Sequence, residues 1–288
     1  MNIAKVSLKS PLKVPLKVLI VFGSRSDEKI FNSIFNRLSE ISNVDVDLHI
    51  CSAHRTPEML LELLKNDYDV IVAGAGLAAH LPGVCASKTI APVIGVPVNN
   101  NFLGLDSLLA IIQMPPGIPV LSVGVDNSQA VTDAINVLSK KYDAVQLLNC
   151  DDALYKKAFP LIEKFGIKEV KTRLMSKSKE DQEDHSEAPS EVLKIIFVGI
   201  SEKLIDDEDS IIFCPISDDV NISPEPLLNL TKKGLWVGLN RADNAVIAAA
   251  EIIAINDKDI RDKLIMYREE MALKVIKDDE DVKNAKIN

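Results

Sequence analysis

The chain has 288 residues, of which 47% are hydrophobic and only 5% aromatic, and its net charge is −9. That length allows one large or two ordinary domains, and apolar residues that are mainly Ile, Leu, Val and Ala are typical of buried parallel strands covered by helices. Residues 1–143 contain 12 of the 33 Lys and Arg residues and 13 of the 42 Asp and Glu residues, which gives this half a net charge of −1. Residues 144–288 therefore carry a net charge of −8. We therefore expect no nucleic-acid partner, and without an apolar run of roughly 20 residues we expect no membrane span.

The first half alternates short apolar strands with amphipathic helices. Strands are predicted at residues 18–22, 44–50, 69–73, 93–96 and 120–125, and helices follow Gly23 and cover residues 57–66 and 128–140. Such alternation predicts an α/β, doubly wound (flavodoxin-like) parallel sheet with ligand sites at the carboxyl ends of its strands.

The same pattern then restarts. Residues 144–148 form another strand before a loop and a helix, residues 93–97 correspond to 211–215, and residues 123–127 correspond to 237–241. We interpret the chain as two tandem copies of one fold. The predicted parts are an N-terminal segment at 1–16, a first unit at 17–143, and a second unit at 144–288 with an acidic loop at 176–191 and a helix at 257–275. The N-terminal segment is either an arm that packs on a neighbour or a loosely ordered terminus.

The loop at residues 23–27 (GSRSD) follows the first strand and opens a helix. Its backbone N–H groups and the hydroxyls of Ser24 and Ser26 suit a phosphate at the positive end of the helix, and Asp27 suits a ribose hydroxyl. The alternative is that Ser26 or Asp27 only caps the helix.

Residues 52–57 (SAHRTP) follow the second strand and place His54 between Ser52 and Arg55. A guanidinium suits a phosphate or carboxylate, and an imidazole can move a proton near neutral pH. This favours a functional site over a capped turn before Pro57.

Residues 74–83 (GAGLAAHLPG) read as a loop after the third strand, and its small residues would let a flat ring approach the backbone. His80, between Ala79 and Leu81, is ambiguous: it reads either as a partly buried structural histidine, which is the favoured interpretation, or as a direct catalytic residue. The four scattered cysteines show no C-x-x-C spacing and favour reduced thiols in a cytoplasmic protein.

Together with residues 95–97 (GVP), 106–109 (DSLL) and 113–115 (QMP), these motifs closely resemble the N5-carboxyaminoimidazole ribonucleotide mutase family, PurE. The resemblance implies a purine-biosynthesis enzyme that moves a carboxylate from N5 to C4 of the imidazole ribonucleotide without a metal or organic cofactor. His54 takes the general acid/base position. The substrate-binding positions that the resemblance implies are Ser24, Ser26, Asp27, Ser52, Arg55, Gly74, Gly76, Ala78, Ala79, His80 and Leu81.

The sister group that carboxylates aminoimidazole ribonucleotide directly with CO2 is the alternative reading, and a non-catalytic nucleotide-binding regulator is a second alternative. Leu77 stands where the family usually has Gly, the loop at 99–103 looks one residue shorter than usual, and the family's C-terminal helix is missing after the first unit. Residues 257–275 resemble that helix but follow the second unit, which lacks the site motifs. Since family members form octamers, we expect a homo-oligomer in which four chains make a pseudo-octamer with four active sites.

Overall fold

The computed structural model describes residues 15–171, 191–202, 210–219 and 221–285. Residues 1–14 of the predicted arm and residues 176–190 of the predicted acidic loop lie outside this part of the chain. In the described residues, no helix is long and apolar enough to cross a membrane.

The described chain alternates strands and helices. The strands are β1 (Leu16–Phe22), β2 (Val44–Ile50), β3 (Val70–Gly76), β4 (Val93–Val98), β5 (Leu121–Ser122), β6 (Ala144–Leu148), β7 (Lys168–Glu169), β8 (Val192–Gly199), β9 (Ser210–Ile216) and β10 (Leu235–Trp236). The helices are α1 (Glu28–Ser39), α2 (Pro57–Leu63), α3 (His80–Ala86), α4 (Leu105–Ile112), α5 (Ser128–Leu138), α6 (Asp152–Phe165), α7 (Leu227–Leu230), α8 (Ala242–Ile253) and α9 (Lys258–Ala285).

All ten strands form one sheet in the order β2-β1-β3-β4-β5-β10-β9-β8-β6-β7. Pairing is parallel within each half, and the halves join where β5 and β10 run antiparallel with Trp236 opposite Ser122. Counted from its own first strand, each half has the order 2-1-3-4-5, which is the flavodoxin-like order. The chain therefore has the predicted doubly wound α/β fold, and the join leaves neither half with a free edge at its fifth strand.

The two halves share backbone details as well as strand order. Asp126 after β5 and Asn240 after β10 both have positive φ, 55° and 57°. Their N–H groups donate to the carbonyls of Pro97 at 2.9 Å and Pro215 at 2.8 Å. The turns that leave the fifth strand of each half are thus built in the same way.

Some predicted boundaries differ from the structure. The apparent loop at 74–83 is mostly regular, because residues 74–76 continue β3 by pairing with residues 96–98 of β4, and α3 begins at His80. Only residues 77–79 form the turn. The predicted strand at 120–125 pairs only over β5, and the predicted helix at 257–275 extends to Ala285, supported near its end by an ion pair between Lys283 and Asp279, four residues apart.

Helices α8 and α9 of the second half reach the first half. Every residue of α8 except Asp243 is buried, and its apolar side chains join a core cluster that contains residues of both halves. Helix α9 buries Ile260 and Leu264, and it approaches Gly117 of the first half, where an added Cβ would lie 3.0 Å from Met271 Cε and 3.5 Å from the Tyr267 hydroxyl. The two halves therefore share one hydrophobic core rather than touching only at the sheet.

Candidate active site

A cavity of about 470 Å³ lies at the carboxyl ends of β1, β2 and β3. Parallel α/β sheets bind ligands at this edge because the loops after neighbouring strands converge there. Ten of the twelve predicted site residues line the cavity, namely Ser24, Ser26, Asp27, Ser52, His54, Arg55, Gly76, Ala78, His80 and Leu81. The structure thus brings three separate sequence motifs to one place.

The loop after β1 forms a 3-10 turn over Arg25–Asp27 before α1 begins. The Ser24 hydroxyl oxygen accepts from the N–H of Ser26 at 3.2 Å and from its hydroxyl at 2.9 Å, and the Ser26 hydroxyl also lies 2.9 Å from Asp27 Oδ1. Burial raises the pKa of Asp27, against the lowering effect of the Ser26 hydrogen bond, and Asp126 raises it further. Two hydroxyls and a carboxylate with accessible oxygens therefore face the cavity side by side.

Arg55 connects the loops after β1 and β2. Its Nη2 donates to the carbonyl of Gly23 at 2.9 Å, and its N–H lies 3.3 Å from Ser52 Oγ. The Ser52 N–H donates to Thr56 Oγ1 at 3.0 Å, which fixes the turn before Pro57 at the start of α2. The guanidinium is thus held against the loop that carries Ser24 and Ser26, in the same cavity, with donors left over for an anion.

The two histidines of the cavity are direct partners. His54 Nε2 lies 2.9 Å from His80 Nδ1, and the rings meet edge to face at 89° with centroids 5.0 Å apart. Both side chains are exposed to the cavity rather than buried. The expectation that His80 is a partly buried structural histidine was wrong: as the first residue of α3 it faces outward, while Ala79 and Leu81 on either side are buried.

Two predicted site residues do not line the cavity. A side chain at Gly74 would meet the ring of Phe22 at 2.0 Å, so this glycine serves packing of β3 against β1. Ala79 is 1% exposed and belongs to the core beneath α3.

The sequence motifs missed other residues at the cavity. Asn100, in the loop after β4, also lines it, and its amide nitrogen lies so close to Gly76 that a Cβ there would approach it to 1.9 Å. Asn100 could have been predicted from its position just after a buried parallel strand, because the loop there lies at the same edge of the sheet as the other site loops. Asp126, which follows β5, carries a negative charge that raises the pKa of Asp27.

Leu77 lines the cavity with an unusual backbone. Its φ is +58° and its side chain is 54% exposed. A left-handed conformation costs a non-glycine residue about 1–2 kcal/mol. Leu77 therefore holds a backbone conformation that glycine would adopt without strain.

Comparison with known proteins identifies the family. The family model described as AIR carboxylase matches residues 17–157. N5-carboxyaminoimidazole ribonucleotide mutase of Methanocaldococcus jannaschii is 46% identical over 151 residues, which are 96% of that protein and 51% of this chain. This chain belongs to the AIR carboxylase family.

Other members match over similar stretches. The proteins named N5-carboxyaminoimidazole ribonucleotide mutase in Pyrococcus abyssi and Escherichia coli K12 are 48% and 45% identical, over 45% and 42% of this chain and 78% and 74% of their own length. The crystal structure of Treponema denticola PurE aligns with 93% of this chain and 98% of its own at 17% identity, with a TM-score of 0.35. The family model leaves residues 158–288 unmatched.

Proposed function

We propose that this chain is an N5-carboxyaminoimidazole ribonucleotide mutase of purine biosynthesis. The observation that carries the proposal is the convergence of His54 with Arg55 and the Ser24 and Ser26 hydroxyls in one cavity. Relatives that bear this name are 43% to 48% identical to the chain.

The substrate's ribose phosphate would bind at the loop after β1. Ser24, Ser26 and Arg55 would supply hydroxyl and guanidinium donors to the phosphate. These local donors are needed because the first half is nearly neutral and has no general positive field that would attract an anion. Asp27 would accept from a ribose hydroxyl. The imidazole ring would then lie over residues 76–78, at the end of β3 and the start of the turn that follows it, near His54.

His54 would act as general acid and then as general base. In the first step the bond between N5 and the carboxylate carbon breaks, its electron pair stays on nitrogen, and nitrogen takes a proton from His54 as CO2 is released. In the second step C4 attacks the retained CO2, and His54 removes the C4 proton to restore aromaticity. The proton given is regained, so the reaction is an isomerisation with no net proton change.

His80 supports this role by contact with His54. With 2.9 Å between Nε2 of His54 and Nδ1 of His80, one nitrogen donates and the other accepts. A shared hydrogen bond of this kind orients the His54 ring and selects its tautomer.

The alternative activity is direct carboxylation of aminoimidazole ribonucleotide with CO2. The test offers the purified chain N5-carboxyaminoimidazole ribonucleotide in one assay and aminoimidazole ribonucleotide with bicarbonate in another. We expect rapid conversion of the first substrate. Efficient turnover of the second pair alone would reject the mutase proposal in favour of the carboxylase.

We also propose that residues 17–143 and 144–288 are tandem copies, of which only the first is catalytic. The shared 2-1-3-4-5 strand order and the matching turns at Asp126 and Asn240 support this. The second copy would take a subunit's place in a cytoplasmic pseudo-octamer of four chains. Mass measurement in solution tests the assembly: a tetramer is expected, and a stable monomer would reject it.

A further inference from the structure

The cavity receives support from the far half of the chain, through α3. This short helix carries His80 at its first residue and ends at Ala86. The first and last of its seven residues lie roughly 9 Å apart along the helix axis, so a shift at one end of α3 is passed to the other. The last carbonyl groups of a helix have no hydrogen-bond partner within the helix. A side chain that donates to one of these carbonyls therefore helps to fix the position of the helix.

Arg268 of α9 holds the end of α3. Its Nη1 donates to the Ala86 carbonyl at 3.3 Å, and its Nη2 donates to Glu251 Oε1 at 2.8 Å. The side chains of Arg268 and Glu251 are only 16% and 3% exposed. Because Glu251 is buried and Arg268 is mostly shielded from solvent, the guanidinium has a fixed place from which to bond the carbonyl.

A second contact from the same half reaches another face of α3. Asn244 of α8 is 1% exposed, accepts from the Gly117 N–H at 2.9 Å and donates to the Pro115 carbonyl at 2.9 Å. Asn244 thereby holds the loop that includes Met114. The Met114 side chain packs against α3, because its sulfur would lie 3.3 Å from a Cβ added to Gly83. One polar side chain of the second half thus bonds the end of α3, and another holds the loop that packs along its side.

We propose that Arg268 is a positioning residue for the active site, which sets the location of His80 through α3 and so makes the chemistry of the first half depend on the second half of the same chain. The expected effect on turnover rests on the proposed function. The placement of His80 is measurable without turnover.

The experiment compares Arg268→Met, Arg268→Lys and Arg261→Met in the full chain. Arg261 is the matched control, because it also lies on α9 and pairs with the first half, at Asp67 with 3.4 Å between Nη2 and Oδ1, but does not bond α3. The readouts are the imidazole 15N resonances, and kcat and KM for N5-carboxyaminoimidazole ribonucleotide. With four histidines in the chain, His54→Asn and His80→Asn variants assign the two signals.

We expect Arg268→Met to shift the His80 and His54 resonances, leave that of His49 unmoved, and lower kcat about 10-fold while KM changes little. Arg268→Lys retains a hydrogen-bond donor for Glu251, but one ammonium on a shorter stem cannot also serve Ala86, so the same shifts are expected in a more stable protein. Arg261→Met should change neither readout.

Unmoved His80 resonances and unchanged kcat in folded Arg268→Met would overturn the inference. If that variant does not fold, the same result in Arg268→Lys would overturn it. Shifted resonances in a chain whose wild type has no mutase activity would support the placement of His80 by Arg268 and reject the proposed function instead.

Discussion

His80 Nδ1 lies 2.9 Å from His54 Nε2, with the rings nearly perpendicular. We predict that His80→Asn lowers kcat about 10-fold, because His54 loses the partner that orients it but keeps its own place in the cavity. His49→Asn is the control, since His49 lies on edge strand β2 and is not part of the cavity lining. Steady-state kinetics check the prediction, and equal rates in His80→Asn and wild type would contradict it.

Arg55, in the loop after β2, donates through Nη2 to the Gly23 carbonyl at 2.9 Å in the loop after β1. We predict that Arg55→Met weakens ribonucleotide binding by about 10-fold to 100-fold, because a charge-assisted hydrogen bond is lost. Arg25→Met is the matched control: Arg25 lies in the same loop, but its side chain is 84% exposed and pairs with Glu28. Calorimetric titration measures both, and comparable affinities of the two variants would argue against a phosphate at Arg55.

Leu77 holds a φ of +58° without being glycine. We predict that Leu77→Gly is more stable than Leu77→Ala by about 1 kcal/mol, since only alanine retains the left-handed strain. At the neighbouring Ala78, which does not have positive φ, Ala78→Gly should instead lose roughly 0.5 kcal/mol. Denaturant unfolding compares the variants. A Leu77→Ala variant as stable as Leu77→Gly would show that the turn relaxes without strain.

Glu251 should make stability depend on pH. Burial raises its pKa from 4.5 to about 8, against the lowering effect of Arg268. Below pH 4.5 the folded and unfolded states are both protonated, and the contribution of this group to stability is complete. Between pH 4.5 and 8 only the folded state keeps the proton, so the free energy of unfolding falls as pH rises, by at most about 1.4 kcal/mol per pH unit.

Glu251→Gln removes this titration, so its unfolding free energy should fall less steeply than that of wild type across this window. Glu62→Gln, on an exposed glutamate paired with Lys65, should leave the slope unchanged. Parallel slopes for Glu251→Gln and wild type would mean that Glu251 does not titrate there.

The sequence predicted the five strands of the first half and the helices α1, α2 and α5, because apolar runs and helical spacing are local patterns, but it did not predict α3 and α4. It also predicted that the loops after β1 and β2 form one site, since parallel strands bring their carboxyl ends to one edge. The hydrogen bond between His54 and His80 was missed. Its two residues are 26 positions apart, and their contact depends on where α3 begins.

Other features depended on tertiary pairing. Residues 74–76 have the small side chains of a loop, yet they form strand because β4 lies beside them. The antiparallel join of β5 to β10 rests on two-residue strands that carry no periodic signal. The hydrogen bond from Arg268 to the Ala86 carbonyl joins residues 182 positions apart, so it likewise depends on how α9 packs and could not be predicted from the sequence.

His54 is the group that we propose to move the proton. The direct measurement compares His54→Asn with wild type for turnover of N5-carboxyaminoimidazole ribonucleotide and for its binding. We predict a loss of about 1,000-fold or more in kcat with affinity within about threefold of wild type, because asparagine fills the site but cannot exchange a proton. Turnover retained in this variant would contradict the proposed mechanism.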